Sequence, residues 1–263
     1  MQDSPAILKT NLFGAWCGVA YCVLLLVGWW FIGGFFPLHR PSAGAQEIAA
    51  FFRGDILRIR LGMVVVMWGS AVFIPFTASL ADYVAKVEGR SGPLTKITTM
   101  AGYANAMLTF YPPLLWIANT WRSRERSDEL IYLINDIAWL QFIGGLALIM
   151  PMFVTVAVTA LNDKSVNPTF PRWVAFASIM TFILFLPDQM LFFFKTGPFA
   201  WNGLFAFWVP LTVFCGWFIM LAYLMRRSIL DELRGGMVAS RSPKDSMPAM
   251  ASNSSADRAP SPR

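Results

Sequence analysis

Apolar residues fall into six long runs separated by short polar segments, at approximately 13–36, 61–83, 98–118, 131–160, 173–194 and 203–225. Each run approaches or exceeds the ~20 residues an α-helix needs to cross a hydrocarbon core ~30 Å thick. The pattern therefore predicts an all-α membrane protein, a six-transmembrane-helix bundle spanning residues 1–234. The first run has a second reading as a signal peptide, because Ala43-Gly44-Ala45 resembles a small-residue cleavage site. Its length, and the His39-Arg40-Pro41 segment between run and site, argue for a membrane span instead. Past Arg234 the chain turns to Gly, Ser, Pro and Ala with scattered charge, which predicts a disordered cytoplasmic tail over 235–263. No loop is long enough to hold a soluble domain.

Local signals refine the boundaries. Between the first two runs, Ser42 opens a short stretch, Glu47-Ile48-Ala49-Ala50-Phe51-Phe52, suited to lie along the membrane interface before Gly54 breaks it. Asp55 is placed to cap the second helix, with Arg58 and Arg60 in its first turns. Arg53-Gly54-Asp55 has the form of an adhesion tripeptide, but a turn followed by a cap accounts for it. Ser127-Asp128-Glu129 reads as the cap and acidic first turn of helix four.

Composition agrees with the membrane class and narrows the chemistry. Residues are 56% hydrophobic and only 14% charged, where a soluble domain carries nearer a quarter charged, and the mean hydropathy is +0.54. Many of the eleven Trp and twenty-three Phe stand where apolar runs end, as in an interfacial aromatic belt. The net charge of +6 is spread over short loops, which suits anionic lipid headgroups rather than nucleic acid. Cys17, Cys22 and Cys215 lie inside apolar runs, so no disulfide framework is implied. One histidine, His39, and three buried thiols argue against haem, di-iron, copper or zinc, and no cofactor is expected.

Alternating the spans puts the N-terminus and tail on one side, A, and the loops after helices one, three and five on the other, B. Asp136, Gln141, Asp188, Gln189, Lys195, Asn202, Arg58 and Arg60 then all fall in the B half, and they form the candidate substrate-binding set. An unpaired charge at such depth is costly, so Asp136 and Asp188 are expected to pair with a basic residue or line a wet cavity. Asp188 and Lys195, seven apart, share a face if the helix stays regular. Pro187 frees a backbone carbonyl one turn earlier, a local break of the kind that builds midplane sites in transporters. The plainer alternative is a structural brace, with interfacial Arg and Lys snorkelling and Gln141 and Gln189 acting as interhelical glue. Gly14 and Gly18 form a GxxxG, which signals close packing within the protein or in a dimer.

Four segments resemble those of an uncharacterised group of bacterial hexa-helical integral membrane proteins: Leu57-Arg58-Ile59-Arg60-Leu61-Gly62, Leu133-Ile134-Asn135-Asp136-Ile137-Ala138-Trp139, Phe170-Pro171-Arg172-Trp173, and the stretch Phe194-Lys195-Thr196-Gly197-Pro198-Phe199-Ala200-Trp201-Asn202-Gly203. The resemblance implies a bacterial inner-membrane setting and no activity.

Three functions compete. The first is a small transporter or ligand-binding membrane component whose small-molecule substrate enters from side B. The second is an accessory or scaffold subunit docking a homo- or hetero-oligomeric partner through the GxxxG face. The third is an intramembrane enzyme using Asp136 and Asp188 as an acid/base pair, which the flanking arginines and the lack of any catalytic motif disfavour. Flanking Lys and Arg number nine on side A and eight on side B, nearly a tie, and the basic tail tips the expectation toward both termini in the cytoplasm.

Overall fold

A computed structural model describes residues 4–241 of the chain, with side chains through Arg234. The described residues form helices and connecting turns, with no strand among them. Helix α1 runs Pro5–Leu26 and continues through a π turn, Val27–Ile32; α2, Ala45–Gly54, is short. Helices α3 (Ile56–Glu88) and α4 (Pro93–Trp121) follow, then α5 (Asp128–Gly144), a 3-10 turn over Gly145–Ile149, and α6 (Met150–Asn162). Helix α7 (Arg172–Phe185) ends in a 3-10 segment, Leu186–Phe192, and a π turn, Leu204–Trp208, leads into α8 (Val209–Arg241). The expected boundary at Arg234 is therefore early: α8 continues to Arg241, and the remainder of the expected tail, 242–263, lies outside the described residues.

Five stretches are long and apolar enough to cross a membrane: Pro5–Ile32, Ile56–Glu88, Asp128–Asn162, Arg172–Phe192 and Leu204–Arg234. The chain is a multi-pass helical membrane protein. The sixth expected span corresponds to α4, which is long enough at 29 residues but less apolar. The deficit has a cause, because α4 turns a polar stripe inward: Thr95, Thr98, Asn105, Thr109, Asn119 and Thr120 are all buried.

Those side chains zip α4 antiparallel to α3 from end to end. At one end Glu88 accepts from the backbone N–H groups of Leu94 and Thr95, 3.1 and 3.2 Å. In the middle the Ser70 and Thr109 hydroxyls meet at 3.0 Å. At the other end Arg60 donates to Thr120 through Nε and Nη2, both 2.9 Å. Toward α5 and α6, Asn119 donates to the Ile131 carbonyl at 2.9 Å and Thr98 meets Thr155 at 2.7 Å. Where solvent cannot satisfy a hydroxyl or amide, such pairs fix register as well as proximity.

Helix α1 packs on α3 through glycines. A side chain at Gly14 would run into Ser79 and the Pro75 carbonyl, and one at Gly18 into the Phe76 ring. The GxxxG face is thus used inside the molecule. At the B end the approach is backbone against backbone: a Cβ at Gly62 would strike the Gly28 carbonyl and the Gly33 backbone, atoms that no rotamer change can move. The predicted interfacial segment is α2, which starts after Gly44 rather than at Ser42 and ends at Gly54, and Asp55 and Ser127 stand at the N-caps of α3 and α5.

Replacing Gly62 by Val should cost at least ~2 kcal/mol by overpacking, seen as a lower unfolding temperature or loss of the monodisperse peak in detergent. Gly54→Ala, which meets nothing within 4 Å, should behave as wild type; equal behaviour of the two variants would rule out this packing.

Candidate functional site

The B-side arginines are committed to backbone carbonyls. Arg58 donates through Nε to the Ile32 carbonyl at 2.9 Å and through Nη2 to Phe31 at 3.1 Å, closing the exposed end of the first span. Gly34 makes room for it: its φ of 75° is left-handed, and the Arg58 guanidinium carbon would sit 3.0 Å from a Cβ there. Arg60 caps α4 at Thr120 and stacks 5.1 Å from the Trp121 ring. Arg53 donates to the carbonyls of Ser123 (2.7 Å) and Arg126 (2.9 Å) and pairs with Asp128 at 2.7 Å, fastening α2 to the α4–α5 turn. The adhesion-like tripeptide is therefore the end of α2 and the cap of α3, with its arginine occupied. None of these three arginines reaches a buried aspartate.

Asp188 lies in the 3-10 segment that ends the fifth span and is fully buried at 0% exposure. Gln189 donates to its Oδ2 at 3.2 Å, Oδ1 has no hydrogen-bond partner, and no ion pair reaches it among the described residues. The same Gln189 amide donates to the Gly144 carbonyl at 3.1 Å, which fixes the depth of Asp188 against the end of α5. Gly144 is also where the Phe192 ring comes closest, leaving no room for a Cβ.

Asp136 sits further toward the B end of α5, eight residues from Gly144 or ~12 Å along the axis at 1.5 Å per residue. It is half-buried with Oδ1 unpartnered, and the opposite charge acting on it is Lys195, without an ion pair among the described residues. The expected register of Lys195 beneath Asp188 fails because the helix tightens to 3-10 at Leu186 and ends at Phe192. Lys195 lies beyond that end and acts on Asp136 instead. Gln141 contributes its carbonyl to the cap at Gly145, and Asn202 is half-buried beside Trp201. The structure thus aligns Asp136, Lys195, Gln189 and Asp188 along α5 and leaves Arg58 and Arg60 outside this line. The two aspartates stand at different levels and do not form an acid/base dyad.

An aromatic wall, absent from the sequence reading, backs this line. Trp29, Trp116 and Trp139 are buried within one cluster, and Trp139 stacks on Trp201 at 5.7 Å and 7°. The indole N–H of Trp116 donates to Asn135 at 3.3 Å, whereas those of Trp29 and Trp139 and the Asn135 amide nitrogen have no acceptor. The i, i+3 and i, i+4 placement of Asn135, Asp136 and Trp139 on α5 is the signal that would have found it. Above the wall, Trp201 donates to the His39 carbonyl at 2.9 Å, tying together the loops after spans one and five. His39 packs on Phe51 at 4.3 Å, and burial, opposed by Glu47, holds its imidazole below the ordinary histidine range.

Side A is less plain than the run pattern implies. Asn11 donates to Asp82 at 2.7 Å, and Tyr83 donates to Asp163 at 2.6 Å, beside a cavity of about 260 Å³ lined with hydroxyls, amides and charges. Among the described residues no group of three or more His, Cys, Asp or Glu is arranged to hold a metal. Compared with protein-family models, curated proteins and solved structures, the chain finds no match.

Proposed function

We propose that the chain is a small six-span transporter or ligand-binding component of a bacterial inner membrane, both termini cytoplasmic, whose intramembrane ligand group is Asp188. The observation that carries this reading is a fully buried carboxyl with one oxygen unpartnered and no basic residue paired to it among the described residues. A carboxyl in that setting is costly unless a positive charge or a proton comes to it. The ligand of this site is accordingly a monovalent inorganic cation, a proton, or a substrate that travels with one. It enters at the Asp136–Lys195 end and reaches Asp188 past Gln189.

Two further features support the reading. Irregular backbone at membrane depth is tolerated where protein buries it or a cavity receives it, and carriers build ion sites from such breaks. Here the 3-10 segment holding Asp188 meets the π turn that opens the last span. The full-length antiparallel fit of α4 on α3 also supports six crossings, because a helix zipped to a span from Glu88 to Arg60 traverses the same thickness.

In proteoliposomes under an imposed gradient, at least one of Na+, K+ or H+ should be carried by the wild type. Asp188→Asn should lower that flux about tenfold, the worth of a charge-assisted contact, while folded yield is retained. Flux unchanged in Asp188→Asn, or absent for all three ions in the wild type, sinks the proposal. Arg60→Gln should show the opposite pattern, with stability reduced by roughly 1.5–3 kcal/mol for lost charged hydrogen bonds and flux per folded molecule preserved.

A further inference from the structure

The cavity at the A end is built by four separate parts of the chain: α1 supplies Asn11, α3 Ser79 and Tyr83, the α6–α7 loop Asp163 to Thr169, and α8 Met225 to Glu232. Its walls are held in place. Tyr83 donates to Asp163 Oδ2 at 2.6 Å, accepts from the Phe170 N–H at 3.3 Å, and packs edge-on against the Phe170 ring at 4.4 Å. Thr169 and Ser228 bridge loop to α8 at 2.8 Å. Asp163 Oδ1 accepts from both the backbone and hydroxyl of Ser165, 3.0 and 2.6 Å, which turns the loop tightly at its start.

The charge presented is negative. Asp163 and Glu232 line the space, and Lys86, the lining cation among the described residues, stands 3.8 Å from Asp82. Burial pushes the Asp163 carboxyl up, but the hydrogen bonds from Ser165 and Tyr83 outweigh it and hold the group below the usual carboxylate range. Asp163 is therefore anionic at neutral pH. Around the carboxylates stand side-chain oxygens of Asn11, Asn167, Ser79 and Ser228, all able to accept. Among the described residues of the lining the one aromatic ring is Tyr83, and a single ring does not make a cage for a quaternary ammonium.

The geometry points to a binding site for a small polar molecule bearing a primary ammonium, seated between Asp163 and Glu232 at the A face, remote from Asp188. Acceptors on several sides match the three N–H bonds of a primary ammonium, which a trimethylated nitrogen lacks. Val87, Met225 and Ile229 give one apolar flank, suited to a short carbon chain. The ammonium has two sources, a free amine or the headgroup of an aminophospholipid at the same depth.

The full chain in phosphatidylcholine nanodiscs separates these sources. Ethanolamine, added free, or phosphatidylethanolamine, added to the disc, should raise the unfolding temperature, and choline should not. A response to ethanolamine alone identifies a free amine, and a response to the lipid alone identifies a headgroup; either upholds the site. Glu232→Gln, at an exposed position, should weaken the apparent affinity roughly threefold, as an exposed ion pair does. Asp163→Asn should weaken it about tenfold, as loss of a charged hydrogen-bond partner does, and if that variant does not fold, Glu232→Gln decides. No response to either ammonium probe, an equal response to choline, or a full response in every folded variant overturns the assignment. Asp188→Asn leaves this response intact, so failure here is distinct from failure at the intramembrane site.

Discussion

Guanidinium groups on helix-terminal carbonyls are the interaction on which the B end of this molecule depends. An α-helix leaves its last carbonyls without partners, and in a hydrocarbon setting water is not at hand to take them. Arg58 takes Phe31 and Ile32, Arg60 takes Thr120, Arg126 takes Ala118 at 2.6 Å, and Arg53 takes Ser123 and Arg126. Arg58, Arg60 and Arg126 thereby place positive charge at the negative ends of helices, so dipole and hydrogen bond act together, while Arg53 holds the turn between α4 and α5. The planar fork of arginine suits two acceptors at once, which an ammonium does not.

This commitment explains the exposed chemistry of the site. With Arg53, Arg58, Arg60 and Arg126 bound to backbone carbonyls, Lys195 is the charge that acts on Asp136, and the break at Leu186 carries it past Asp188. Among the described residues, the deep carboxyl is left to Gln189. A structural brace between Asp188 and an arginine, the plain alternative to a functional role, is absent among the described residues. The GxxxG pair, which offered a docking face, is covered by Ser79, Pro75 and Phe76 of the same chain.

Much of this was legible in the residues and some was not. Apolar runs located the helices, Gly54, Asp55 and Ser127 marked boundaries, and Pro187 flagged the break beside Asp188, because these are local effects of backbone chemistry. The partners of Arg58 and Arg60 were not legible, since a carbonyl acceptor has no sequence signature. The register of Lys195 was misjudged because a 3-10 turn advances 120° per residue rather than 100° and then ends. The run at 98–118 reads simply as a span, and its inward polar stripe, which locks α4 to α3, shows only in the packing. The A-side cavity joins Asn11 to Glu232, residues that only tertiary packing brings together.

Irregular backbone is distributed unevenly, and that carries the last step. The π turn at Val27–Ile32, the 3-10 turns at Gly145–Ile149 and Leu186–Phe192, and the π turn at Leu204–Trp208 all lie between mid-depth and the B end. The α3–α4 pair, by contrast, runs without such interruption even at Pro75, Pro112 and Pro113. Short turns with poorer hydrogen-bond geometry are where local opening costs least. One pair of helices thus provides a fixed rail, and the segments around Asp188 provide the part with freedom to rearrange. A buried carboxyl held by a single neighbouring amide, on the less regular side of that division, is placed where a modest shift of the 186–208 stretch suffices to expose it to one face of the membrane.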